Sequence, residues 1–129
     1  MANRLAGKVA VVTGAGQGIG AAIVGLARRD GHQVVLWFEH DLYDQLQLVD
    51  VLALAAPDAP ELIVVGSFPG RSGFRGLGEL TADDLETLWP ARVPAGQDTL
   101  AAAVSVWAAL RRPDPSALAA AAVIRWWRR

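Results

Sequence analysis

Apolar residues along this chain come in short unbroken runs separated by stretches of helical spacing, the alternation expected of strands buried on both faces and joined by helices. Val9 to Val12 reads as a first strand, and Ile19, Ala22, Ile23, Leu26 and Ala27 then fall on one face of a helix over about residues 18–29. Asp30-Gly31 ends that helix in the manner of a glycine C-cap. Gln33 to Phe38 is a second strand. A helix from Leu42 to about Ala56 follows, with Leu46, Val49, Leu52, Ala53 and Ala56 inward, and Pro57 stops it. Leu62 to Val65 is the third strand.

Beyond the third strand the glycine-rich stretch Gly66 to Gly78 leads to Thr81, whose hydroxyl caps a helix while Asp84 reaches back in a capping box. Pro90 and Pro94 break that helix, and Gln97 to Arg111 forms another, carrying Val104, Trp107 and Leu110. Asp114-Pro115 has the form of a cap followed by a first-turn proline and starts a last helix to about Trp127. The pattern predicts an α/β fold: a truncated three-layer sandwich with about three parallel strands in the order 2-1-3 and helices on both faces. Such a sheet leaves two open parallel edges, which favour a partner chain.

Length and composition narrow the class. A chain of 129 residues holds one domain with a modest core. It divides into a body, residues 1–112, and a tail, residues 113–129. Hydrophobic residues make up 53% of the chain, so part of the apolar surface expects cover. No apolar run approaches the roughly 18 to 20 residues of a membrane span, and the opening Met-Ala-Asn-Arg-Leu-Ala-Gly-Lys lacks the apolar centre of a signal peptide. With no cysteine, disulfides and thiolate metal sites are excluded and a cytoplasmic setting is expected.

Charge is unevenly placed. Residues 1–110 carry seven basic and twelve acidic side chains, while residues 111–129 carry five basic and one acidic. Between Asp30 and Gly70 there is no lysine or arginine, which argues against a nucleic-acid surface on the body. The ending Trp126-Trp127-Arg128-Arg129 places large rings beside charges, as at an interface. An intramolecular cover, a dimer contact and attachment to an anionic membrane all fit it.

The candidate chemistry centres on Thr13-Gly14-Ala15-Gly16-Gln17-Gly18-Ile19-Gly20, between the first strand and its helix. A pyrophosphate needs backbone N–H donors at close range with no Cβ in the way, and a helix N-terminus adds partial positive charge. Gly14 would turn the chain off the strand, Gly18 would admit the phosphates, and Gly20 would let the helix pack closely on the sheet. The alternative is a glycine-rich loop without a ligand. Glu39, at the end of the second strand, lies where an acidic side chain accepts hydrogen bonds from the adenosine ribose and repels a 2′-phosphate, favouring NAD over NADP; it also fits an exposed strand-end carboxylate.

The spacing Thr-Gly-x-x-x-Gly-x-Gly at Thr13 to Gly20 resembles the cofactor loop of the short-chain dehydrogenase/reductase family, and weaker similarity extends over residues 5 to about 110. Asp41-Leu42 resembles the family's Asp-Val or Asp-Leu beside the adenine. Leu62 to Gly70 sits where the family has a strand ending in Asn-Asn-Ala-Gly, and Phe74 to Leu85 is similar to the segment before its long interface helix. The resemblance implies a Rossmann-like fold, an NAD(P) cofactor held at Thr13, Gly14, Gln17, Gly18, Ile19, Gly20, Glu39, Asp41 and Leu42, and oxidoreductase ancestry. The departures are large. About one helix-plus-strand unit is missing before Asp41. The family's Tyr-x-x-x-Lys pair has no counterpart, because the only tyrosine is Tyr43, with Gln47 four residues on, and the only lysine is Lys8. No catalytic residue carries over, and the chain is expected to be weak or inactive alone, or to serve as a non-catalytic binding or interaction module.

Other chemistries find no support. His32 and His40 are too isolated for a metal site, no serine has a nucleophile-elbow pattern, and Lys8 precedes the glycines where a triphosphate loop needs it after them. Arg71 and Arg75 suit an anionic ligand or a plain solvated loop.

Overall fold

The computed structural model describes residues 31–55 and 60–121, with Gly7 and Gly25 individually. The expected strand Val9 to Val12, the glycine turn Thr13 to Gly20 and the ending Trp126 to Arg129 lie outside the described residues. Gly25 is helical and half-buried. Gly31 adopts the left-handed conformation (φ 79°) that the cap reading required.

Strand β1 is Val35–Glu39, helix α1 is Leu42–Ala55 and strand β2 is Glu61–Val65. The strands pair in parallel, from Val35 opposite Glu61 to Glu39 opposite Val65. Helix α2, Ala82–Leu88, is followed by strand β3, Val93–Pro94, then by α3, Gln97–Leu110, and α4, Ser116–Ala121. Single 3-10 turns stand at Leu77–Glu79 and Trp89–Ala91. The fold is α/β with a small mixed sheet, ordered β1-β2-β3.

This order corrects the expected 2-1-3 arrangement. The strand read from Gln33 to Phe38 is hydrogen-bonded directly to the strand read from Leu62, so Val9 to Val12 has no place between them. A β-strand, a 14-residue helix and a parallel strand make a connection long enough to join immediate neighbours. The second correction concerns the edge. β2 does not end in an open parallel edge, because Val93 and Pro94 pair with Leu62 and Glu61 in antiparallel fashion. The Ala95 N–H completes the join by donating to the Pro60 carbonyl at 2.8 Å. Proline lacks a ladder donor, and its placement here on an edge strand is where that lack is tolerated.

The period-2 alternation of strand side chains sorts the sheet into two faces. Leu36, Phe38 and Leu62 meet Leu48, Val51 and Leu52 of α1 and Leu100 and Ala103 of α3 in one core. Leu48 and Leu52 are fully enclosed. Both long described helices therefore lie on one face, not one on each. The opposite face carries Trp37, whose ring stacks on Trp89 with centroids 6.4 Å apart, and Arg92 lies 4.5 Å over the Trp89 ring. Arg92 also pairs with Glu61 at 3.3 Å, which ties the β3 turn to the start of β2. The inner face of α1 is rotated from the expected one: Gln45, Leu48, Val49, Val51 and Leu52 are buried, whereas Leu46 is exposed.

Candidate functional site

The carboxyl ends of β1 and β2 bring together the chemistry that the described residues offer. In parallel sheets the chain leaves each strand at this end and turns into a helix, so loops and helix N-termini converge there. Glu39 ends β1, His40 and Asp41 form the turn, and α1 begins at Leu42. Across from them Gly66 follows β2, and a Cβ at Gly66 would stand 3.0 Å from the His40 Cβ. The two strand ends are thus in close contact through a glycine.

Asp41 caps α1. Its Oδ1 accepts from the Asp44 N–H at 3.0 Å, and its carbonyl accepts the first helical bond from the Gln45 N–H at 3.0 Å. That is the N-cap geometry which relieves the unpaired donors of a first turn. Asp44, in the same turn, accepts from the Glu39 N–H through its own carboxylate. Gln45 reaches under the turn, and its Nε2 donates to the Glu39 carbonyl at 2.9 Å. Two side chains of the helix's first turn, Asp44 and Gln45, thus lace the strand end to the helix start.

Glu39 is held from the other side. Its Oε1 accepts from the Leu77 N–H at 2.6 Å, at the head of the 3-10 turn. Gly76 makes this approach feasible, because an added Cβ would lie 2.4 Å from Glu39 Oε1. One carboxylate oxygen of Glu39 is therefore engaged by the chain's own loop. Asp41 is engaged as a cap, and the Leu42 side chain is 71% exposed.

Glu39, Asp41 and Asp44 each place a carboxylate oxygen within 4.8 Å of the others. Three carboxylates so close have the oxygen chemistry a hard divalent cation takes. Each of them also accepts a backbone N–H, so the arrangement serves as a capping network without any cation. Sequence reasoning missed this convergence. The signal available was the spacing Glu39-x-Asp41-x-x-Asp44 across a strand end and an N-cap.

Of the residues expected at a cofactor, Thr13, Gly14, Gln17, Gly18, Ile19 and Gly20 lie outside the described residues, and Glu39, Asp41 and Leu42 come together at one sheet end. Of the loop arginines, Arg71 is committed internally and Arg75 remains solvated. Arg71 donates to Asp84 at 2.9 Å, and Arg75 stands 3.9 Å from Glu79. Thr81 and Asp84 form the expected capping box. The Thr81 backbone N–H and hydroxyl, then Arg71, hold the Asp84 carboxyl below its usual range. Among the described residues, no helix is long and apolar enough to cross a membrane. Comparison of the chain with protein-family models, curated proteins and solved structures finds no match.

Proposed function

We propose that this chain is a nicotinamide-dinucleotide-binding protein of Rossmann-like type, derived from the short-chain dehydrogenase/reductase family and lacking that family's catalytic acid. The observation that carries the reading is Glu39, an acidic side chain at the carboxyl end of a parallel strand, nineteen residues after Gly20. Ribose hydroxyls are met by a carboxylate at this topological position in dinucleotide folds. Glu39 Oε2 is the atom for that contact, since Oε1 holds the Leu77 N–H. A carboxylate there repels a 2′-phosphate, so NAD is favoured over NADP.

Binding without turnover is part of the proposal. Proton exchange with a carbonyl oxygen needs an activated acid within hydrogen-bond reach, and the chain has one tyrosine and one lysine, 35 positions apart. Tyr43 is 77% exposed in the first turn of α1. The absence of cysteine agrees with a cytoplasmic setting.

Calorimetric titration of the full chain with NADH and NADPH tests the reading. Heat with NADH, weaker heat with NADPH and loss of both in Gly18→Val are expected. A folded wild-type sample that takes up neither nucleotide ends the assignment.

A further inference from the structure

Three carboxylates meet at the carboxyl end of β1. Glu39, Asp41 and Asp44 each bring an oxygen within 4.8 Å of the others, and among the described residues no basic side chain pairs with any of them. Each spends only one oxygen on the main chain. Glu39 Oε1 takes the Leu77 N–H, Asp41 Oδ1 the Asp44 N–H and Asp44 Oδ2 the Glu39 N–H. Glu39 Oε2, Asp41 Oδ2 and Asp44 Oδ1 accept nothing from the described residues, and each is held in place by the bond its twin oxygen makes.

A second observation is independent of charge. Gln45, next to Asp44, is only 6% exposed, and its Oε1 is buried without a hydrogen-bond partner. An amide oxygen left so is uncommon, because its desolvation goes uncompensated. Its orientation is fixed, since Nε2 on the same carbon donates to the Glu39 carbonyl at 2.9 Å. The N–H and C=O of one strand residue project from the same edge, and the Glu39 N–H is the one that Asp44 accepts. The Gln45 amide and the Asp44 carboxylate therefore stand side by side along that edge of β1, which directs the orphaned oxygen to the end where the three carboxylates converge.

We propose that Glu39, Asp41, Asp44 and the Gln45 side-chain carbonyl form a calcium-binding site. Hard divalent cations take oxygen ligands, and the make-up of the set separates two of them. Magnesium usually keeps several waters and uses few carboxylates, whereas calcium accepts several carboxylates and an amide carbonyl in an irregular shell of about six to eight oxygens. Asp41 is exposed, which gives the ion a way in and lets water complete its shell. The three backbone bonds already hold the carboxylates together, so binding has little ordering left to do. The site does not rest on nucleotide binding, because Glu39 Oε2 has lone pairs for both an ion and a ribose hydroxyl.

The test is calorimetric titration of the full chain, stripped with chelator and free of nucleotide. Calcium chloride is expected to fill one site per chain, and magnesium chloride to bind more weakly. Asp41→Asn keeps the helix cap, since asparagine accepts the Asp44 N–H as aspartate does, and removes one charge. It is expected to weaken calcium by about tenfold or more, while urea unfolding in chelator stays unchanged. Gln45→Met keeps the stem, removes the amide oxygen and is expected to weaken calcium likewise in a folded sample. No heat from folded wild type, or calcium affinity unchanged in Asp41→Asn or in folded Gln45→Met, overturns the proposal. Equal affinity for the two ions overturns its assignment to calcium. With nucleotide absent throughout, a failure here and a failure of NADH uptake are read separately.

Discussion

Gly76→Ala tests whether the Glu39 carboxylate is locked to the loop after β2. The added Cβ would fall 2.4 Å from Glu39 Oε1, 2.7 Å from Cδ and 2.7 Å from Oε2, so the carboxylate has to leave. Gly76 has φ 163°, extended backbone open to any residue, so the substitution acts through this collision and not through backbone strain. What is lost is the 2.6 Å bond from the Leu77 N–H. A hydrogen bond to a charged acceptor contributes roughly 1.5 to 3 kcal/mol, and partial exposure of Glu39 lowers the expectation to about 1 to 2 kcal/mol. Glu39→Ala removes the same bond from the other side. In a double-mutant cycle, Gly76→Ala should then cost almost nothing on the Glu39→Ala background, because the obstacle is gone. Urea unfolding followed by the fluorescence of the stacked Trp37 and Trp89 gives the four free energies. Additivity within about 0.5 kcal/mol would refute the locked contact.

Leu52→Ala opens a cavity in the fully enclosed centre of the core and should cost about 2 to 5 kcal/mol in the same unfolding assay. Thr81→Ala removes the hydroxyl that receives the Asp84 N–H and should destabilise α2 by about 1 kcal/mol, seen as faster amide exchange confined to its first turn. Asp84 has a lowered folded pKa, so its stabilisation is present above the ordinary value of 3.8 and is lost as pH falls through the folded value; Asp84→Asn should flatten that acid limb. Asp50 has the opposite sign: burial raises its folded pKa, against the pull of Arg111, so stability falls as pH rises from 3.8 through the raised value. Asp50→Asn should abolish that decline in a pH series of unfolding curves, and an identical profile would count against it.

Local chemistry was readable from residues alone. Both described parallel strands, the helix between them, the Thr81 and Asp84 capping box, the Gly31 turn and the helix from Gln97 stand within a few residues of where periodicity and punctuation put them. Asp114 accepts from the Ser116 N–H at 2.9 Å just before the last helix, but the helix starts one residue later than expected, at Ser116, with the Pro115 carbonyl taking its first bond. Each of these is set by interactions within a few positions along the chain. Leu46 shows the margin of the method. One residue of rotation on α1 separates an inward from an outward side chain, and a helix apolar on both flanks gives periodicity no unique answer.

Strand adjacency was of another kind. Nothing in Val35 to Glu39 or Glu61 to Val65 says that these two segments pair with each other and not through a third, since any apolar strand can satisfy the same backbone donors. The β3 join was equally hidden, because Pro94 reads as a breaker until an edge gives it a place. Glu39 could be seen as a strand-end acid, but its meeting with Asp41, Asp44 and the Leu77 N–H joins residues up to 38 positions apart. Sequence alone thus determined, β3 apart, where the described strands and long helices lie to within a few residues, because hydrogen-bond periodicity and caps act over a turn or two. Tertiary structure decided which strands are neighbours and which side chains share a sheet end, because those depend on packing between distant segments that no local pattern encodes.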